Sequence, residues 1–365
     1  MFLNQMQNLQ NRLIAARAQE LGITCELLVP DCEDFLRLTQ NGQTIIINKT
    51  RSHRLPLLAG LLAKDKQASN LLLEQRGLPV PPYAVVSDAG LDLRCIEAAL
   101  AFVERLPLER RSVVVKPMDA SRSDGVTIDV RTKEQLVQAM QHAAAYSRQI
   151  MLQQFVQGLD YRVLVINGKV EAVTCYRPVE LIGDGHSTIT ELIAEINTRR
   201  IAQTKIGTID RFAAIDTEKS SVNNVLKRQG YTVDDIPVAG QLVSLYDTEQ
   251  MEAGAISEFY SDCTDHICRQ NIELSIAAAE TLGIDVAGID IRCQDITRPL
   301  TLEQGGILEV NALPDMIHHV YPYEGQSRDV VGAYLNYLFT AQKEPVLAGT
   351  YTQRSVDYDV TGNSK

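Results

Sequence analysis

Two apolar runs after residue 285 carry the side chains best suited to hold a cation. In GGILEVN, Glu309 and Asn311 stand two residues apart, so on a β-strand both emerge on one face while Leu308 and Val310 take the other. In GIDIRC, Asp290 lies between Ile289 and Ile291. A carboxylate in so apolar a strand is costly unless a cation offsets it. Two carboxylates and an amide form an oxygen-only set that suits Mg²⁺, which completes its shell with water and phosphate oxygens. The competing reading is a solvated hairpin end. Lys116 closes the run SVVVKP, so its ammonium is delivered to the end of a buried strand just before a proline stops the ladder, where a phosphate fits. The next stretch, MDASRSDGV, offers hydroxyls such as Ser123 and backbone N–H groups to a polyphosphate, with Gly125 free to take an unusual backbone angle. No P-loop element of the type GxxxxGKS or GxxxxGKT occurs, so any nucleotide site rests on another scaffold.

The elements that must position these groups follow from periodicity. Residues 1–63 read as a small α/β lobe: a helix from residue 9, strands CELLVP and TIIIN, and a second helix. Residues 64–155 read as an α+β lobe with strands SVVVKPM, GVTIDV and IMLQQF. Residues 156–342 form a third lobe that opens with DYRVLVI and KVEAVTCY on either side of Asn167-Gly168, a strong hairpin signal. A helix from about 188 to 201, an irregular stretch to about 262 and the helix HICRQNIELSIAAAETLG then lead to the two site strands. A polar tail, 343–365, is not expected to pack.

Composition narrows the function. At 365 residues, with 45% apolar and 22% charged, the chain can bury a large core around a cleft. No apolar run is long enough to span a bilayer, and the first residues lack the features of a secretory signal, so no membrane partner and a cytoplasmic location are expected. Seven scattered cysteines suggest a reducing compartment. A net charge of -11 argues against nucleic acid. Cys263, His266 and Cys268, like His318-His319, lack a fourth ligand for zinc and are read as structural.

Taken in order, KDKQASNLLLEQRGLPVP, VVVKP, the small-residue loop, LQQFVQGLDYRVLV, GIDI and LEVNALP resemble the ATP-grasp superfamily. RPVELIGDGHSTITELI, LKRQGYTVDDIPVAGQLVSL and DCTD narrow the resemblance to the ATP-grasp region of cyanophycin synthetases and bifunctional glutathione-synthesising enzymes, over about 64 to 339. The resemblance implies an ATP-grasp fold and an ATP- and Mg²⁺-dependent carboxylate-amine ligase working through an acylphosphate. Two Mg²⁺ ions are implied, with Mn²⁺ as a substitute. Lys66 and Lys116 would meet the phosphates, with Ser123 and Gly125 in the loop over them. Gln153, Gln154 and Val156 would border the adenine, Asp160 the ribose and Leu308 the ring face. Asp290, Glu309 and Asn311 match the metal positions. Arg177 and Arg162 are candidates for stabilising the oxyanion, against a reading of both as surface ion pairs. Small-molecule carboxylate and amine substrates are implied, and a homo-oligomer by analogy.

Departures from the family pattern fall at Ser123, Gln153, Ser257-Glu258 and Asp315. Glu258 and Asp315 lie where such enzymes hold acceptors. Asp315 either adds negative charge beside the incoming amine or turns the chain after Pro314. The relatives' additional catalytic domains find no room in 365 residues, so a single ligase unit making one bond per turnover is expected. Two other readings stand beside it: acyl transfer to a carrier-protein thiol, and a non-catalytic nucleotide-binding regulator.

Overall fold

The computed structural model describes residues 6–87, 93–118, 125–206, 209–210, 214–218, 220–245 and 258–340. The N-terminal lobe packs helix α1 (Leu9–Glu20) on an antiparallel meander of β1 (Thr24–Val29), β2 (Cys32–Gln40) and β3 (Gln43–Ile47). Strand β2 was absent from the periodicity reading. Its buried Leu36 and Leu38 alternate with Arg37 and Thr39, and Asn41-Gly42, both at positive φ, make the turn into β3. Helices α2 (Leu57–Lys64) and α3 (Lys66–Gln75) follow, the second capped by Asp65, whose carboxylate accepts from the Gln67 and Ala68 N–H groups.

The second lobe comprises β4 (Tyr83–Ser87), α4 (Leu93–Arg105), β5 (Val113–Pro117), β6 (Thr127–Val130), α5 (Lys133–Ala144) and β7 (Gln149–Gln154). Its sheet has the order β4-β7-β5-β6 and buries its own core, including Val113, Val115, Leu136, Met140 and Leu152. A Thr132–Gln135 capping box starts α5.

The third lobe opens with β8 (Leu159–Ile166) and β9 (Lys169–Pro178), joined through Asn167 and Gly168 at φ 50° and 72°. Next come β10 (Glu180–Ile182) and α6 (Ile189–Thr204), the latter at the helix expected from about 188 to 201, and where the sequence reads as irregular, β11 (Lys205–Ile206), β12 (Ile209–Asp210), α7 (Ser220–Arg228) and β13 (Leu242–Ser244) appear. Residues of β10, α6, α7 and β13 share a separate small core around Leu181, Ile193, Leu226 and Val243. The chain then forms β14 (Glu258–Asp262), α8 (Arg269–Leu282), β15 (Val286–Cys293), β16 (Gly305–Asn311), α9 (Ile317–Val320) and α10 (Val330–Phe339).

The central sheet, β14-β9-β8-β15-β16, is antiparallel throughout. One face buries Tyr161, Val163, Val173, Ile289 and Ile291 with residues of α8, and Ala59, Ala63, Leu73 and Val80 join this core. By packing, therefore, the stretch 57–80 goes with the central sheet, and the boundary drawn at residue 63 falls inside one packed unit. On the opposite face, Leu164, Ile166, Ala172 and Val286 share a continuous core with α1, the meander and α10. The rest of that face is left to polar side chains. Among the described residues, no helix is long and apolar enough to cross a membrane.

Candidate active site

A cleft of about 1230 Å³ is lined by residues of the central sheet, β5, β7 and α3. Its base is set by strand register: Asp290 on β15 lies opposite Glu309 on β16 and Arg162 on β8, while Arg292 lies opposite Asp160. Strand alternation sends all five side chains to one face. Both oxygens of Asp290 accept from Arg162, at Nε and, at 3.0 Å, at Nη2, and the Asn311 amide donates to Oδ2 at 2.9 Å. The partner expected of a buried Asp290 is thus in the first instance a guanidinium. Gly288 makes this possible, since a Cβ there would stand 2.9 Å from Cδ of Arg162. Glu309 makes no hydrogen bond or ion pair among the described residues, and burial and then Asp290 push its carboxyl up.

Those features are a test of fit for Mg²⁺. A buried carboxylate lacking a direct partner, beside a second carboxylate and an amide whose N–H₂ is already used, leaves oxygens facing the cleft for a hard cation. Asp290, Glu309 and Asn311 fit that role. Among the described residues there is no cluster of three or more His, Cys, Asp or Glu that could hold a metal.

Lys66 and Lys116 line the same cleft. Lys66 Nζ donates to the Met118 carbonyl at 3.1 Å and Lys116 Nζ to Gln153 Oε1 at 2.9 Å. Burial lowers the Lys116 pKa to about 8, with Lys66 adding to the effect and Glu309 and Asp290 opposing it. Two ammonium-bearing side chains on one cleft suit an anionic ligand.

Val114, Ile128, Phe155 and Leu308 add apolar surface, and Gln153, Gln154, Val156 and Asp160 border it. Leu308 reaches the cleft although alternation assigns it to the other face. The reason is a β-bulge: Asp290 pairs with Glu309 but Ile291 pairs with Ile307, so Leu308 is the extra residue and both it and Glu309 line the cleft. Arg292, overlooked in the sequence, organises this end. Its Nε donates to the Val156 carbonyl at 2.8 Å, its Nη1 to Asp160 Oδ2 at 2.9 Å, and it lies 5.3 Å from the Phe155 ring. Its two-residue spacing from Asp290 was the signal available. Asp160 Oδ1 and Gln153 Nε2 remain buried without a partner among the described residues, polar atoms of the kind a ribose hydroxyl and a base would satisfy. Burial raises the Asp160 pKa, with Arg292 opposing.

Other candidates fall outside this group. Arg177 follows Tyr176, whose side chain lines the cleft, so alternation turns Arg177 to the opposite face, where it bonds Ser261 at 2.9 Å and Glu324. It is not among the cleft-lining residues, and its expected place at the reacting carbonyl is corrected accordingly. Gly125, at φ 71°, sits against the Tyr146 ring, which a Cβ would approach to 2.6 Å. Ser123 and the rest of 119–124 lie outside the described residues, as do 341–365. Glu258 opens β14 with its backbone opposite Pro178. Asp315 lines the cleft, uses Oδ1 to accept from the Ile317 N–H at 2.7 Å, and has Oδ2 3.5 Å from His318 Nε2, so it both turns the chain and presents charge. The rings of Tyr176 and Tyr260, both unforeseen, meet that of His318 beside it, Tyr260 and His318 at 4.0 Å between centroids. The DCTD segment is structural: Asp262 and Asp265 both hold the Arg328 guanidinium, at 2.6 and 2.7 Å.

The three lobes around this cleft agree with the ATP-grasp fold expected from the sequence. The family described as D-ala D-ala ligase C-terminus matches residues 72–198. More particularly, the chain is similar to the cyanophycin synthetase of Trichormus variabilis, 36% identical over 309 residues, which cover 83% of this chain and 32% of that protein. The glutathione biosynthesis bifunctional protein of Pasteurella multocida is 27% identical over 288 residues, 77% of this chain and 36% of the relative. The chain thus spans about a third of the length of these curated relatives. The crystal structure of a bifunctional glutathione synthetase from Pasteurella multocida matches with a TM-score of 0.70 at 24% identity, over 92% of this chain and 44% of that one, a likeness of fold.

Proposed function

We propose that this chain is an ATP- and Mg²⁺-dependent carboxylate-amine ligase acting on amino acids or small peptides. The observation that carries the reading is the gathering, on one cleft, of Lys66 and Lys116, the pair Asp290–Glu309 with Asn311, and Asp160, one oxygen of which is unpaired among the described residues. The names of the relatives, a cyanophycin synthetase and a glutathione biosynthesis protein, support it.

In the proposed reaction a carboxylate oxygen of the donor attacks the γ-phosphorus of ATP and ADP departs. The amine nitrogen then attacks the carbonyl carbon of the acylphosphate, loses a proton and expels inorganic phosphate. Lys66 and Lys116 hold the phosphates, and Asp160 the ribose. Asp290, Glu309 and Asn311 would hold Mg²⁺, two ions in our reading with Mn²⁺ able to replace them, which neutralises phosphate charge during transfer. Arg162 keeps the catalytic assignment: Asp290 takes Nε and Nη2, leaving Nη1 with no partner among the described residues and able to donate to a developing oxyanion.

The test is to incubate the protein with Mg-ATP and amino acids, singly and in pairs, reading phosphate release and product mass. Release that requires a pair, with a product heavier by one condensation, supports the ligase. Release only with an added carrier protein would move the acceptor to a thiol, and tight ATP binding without turnover would indicate a regulator.

A further inference from the structure

Between α9 and α10 runs the loop 321–329, YPYEGQSRD, which offers no helix or strand period of its own. Polar bonds strap it to β14 instead. The Tyr323 and Glu324 N–H groups donate to the Tyr260 carbonyl at 2.6 and 3.3 Å, and the Asp262 N–H donates to the Glu324 carbonyl at 2.8 Å. Gly325, at φ 94°, lets the backbone pass where a Cβ would stand 2.8 Å from Cβ of Asp262. Arg328 closes the loop. Its Nε lies 3.2 and 3.0 Å from the two Asp262 oxygens and its Nη2 2.6 Å from Oδ2, while Asp265 accepts from Nη1 at 3.3 Å and from Nη2 at 2.7 Å. The side chains of Arg328 and Asp262 are only 20% and 7% exposed.

The backbone of the same residue reaches a second element. The Arg328 N–H donates to the His319 carbonyl at 2.9 Å, and a four-residue helix such as α9 cannot satisfy that carbonyl itself. One residue therefore ties β14 through its side chain and α9 through its backbone. These two elements carry facing rings: Tyr260 from β14 and His318 from α9 lie 4.0 Å apart at 30°, with Tyr176 edge-on to both at 5.1 and 5.7 Å. All three line the cleft, whereas Arg328 is not among its lining residues. A ring contact alone is too weak to register two separate elements, but mostly buried, charge-assisted bonds can do so. We infer that Arg328 is a positioning residue, which by fixing β14 against α9 sets the Tyr260–His318 wall of the cleft and so the fit of the non-nucleotide substrate lying there. The clause about substrate rests on the ligase reading; the clamp does not. A lysine would keep the charge but lacks the fork that spans two carboxylates.

The test reads ring geometry and kinetics separately. In the full-length protein with isotope-labelled histidine, the His318 Cε1–H resonance is assigned by its loss in His318→Gln and followed through a pH titration to the neutral ring. Tyr260→Leu should displace it, because the tyrosine ring no longer shields it. Arg328→Met should displace it in the same direction by at least half as much, and Arg328→Lys by less. Cooperative melting identifies folded variants, and if Arg328→Met does not fold, the lysine variant decides. In the pair assay, Tyr260→Leu and Arg328→Met should each raise KM for the same non-nucleotide substrate about tenfold and leave KM for ATP within about twofold. The double variant should be no worse than either single one. A wild-type His318 resonance in the folded Arg328 variants, or strict additivity in KM, overturns the inference. Absence of turnover in the wild type removes the ligase reading instead and leaves the resonance to decide the clamp.

Discussion

Arg162 holds both carboxylate oxygens of Asp290 across neighbouring strands, so a residue fitted to bind metal and a residue fitted to meet an oxyanion are one interlocked unit. The pair is mostly buried, with side chains 17% and 24% exposed. Removing one member strands the other. Asp290→Asn and Arg162→Met are each expected to lower stability by about 3 kcal/mol, and the double variant by clearly less than the sum. Urea unfolding of the four proteins measures this coupling. Strict additivity would mean that the two side chains do not depend on one another.

Asp290→Asn should also cut Mg²⁺-dependent ADP formation by about 100-fold or more, as expected for loss of a preorganised charge at the transferring phosphoryl group. An initial-rate assay over a range of Mg²⁺ concentrations reads this. Retained activity at saturating Mg²⁺ would move the metal site elsewhere.

Lys116 gives a pH dependence with a defined sign. Its free-protein pKa is lowered to about 8 by burial, so the charged form is complete below that pH and lost above it. Bound phosphate favours the charged form, so ATP binding takes up a proton above pH 8. The ATP dissociation constant should be flat up to about pH 7 and then rise, approaching about tenfold per pH unit. Lys116→Met should bind ATP weakly with that inflection gone. Calorimetry in buffers of different ionisation enthalpy would reveal the proton uptake.

The unpaired oxygen of Asp160 leads to a prediction about sugar recognition. The wild type should prefer ATP to a ribose-modified analogue lacking the hydroxyl that Asp160 accepts, by about tenfold for one hydrogen bond to a charged group. In Asp160→Ala that preference should disappear. Competition by the 2′-deoxy and 3′-deoxy nucleotides identifies which hydroxyl is read.

Arg177→Ala is expected to leave kcat within about twofold, because its contacts with Ser261 and Glu324 lie on the sheet face away from the cleft, and exposed pairs contribute little. A hundredfold fall in kcat at unchanged KM would show that the side chain swings across the sheet edge in the working enzyme.

Part of the candidate metal site was legible because strand alternation is a strict rule: Glu309 and Asn311 could be assigned to one face from spacing alone, whereas Asp290, on another strand, comes opposite Glu309 only through register. The same rule misplaced Leu308, since a bulge adds one residue that no local pattern announces. Arg292 and Arg162 were visible as charges within apolar strands, but which carboxylate each would hold depends on β8 pairing with β15 over a separation of 128 residues for Arg162 and Asp290. Strand β2 escaped because Glu33, Asp34 and Arg37 dilute its apolar alternation, although Asn41-Gly42 carried the turn signal recognised at Asn167-Gly168.

The N-terminal lobe shares one continuous core with the central sheet and α10, whereas the lobe bearing Lys116 has a core of its own. Mechanically these are an anvil and a hammer. Sliding the first lobe would tear open a close-packed interior, but the second can swing as a rigid body on the chain entering β4 and leaving β7. In the proposed ligase, nucleotide entry and product exit would then be matters of moving Lys116 and Gln153 towards or away from a stationary Asp290.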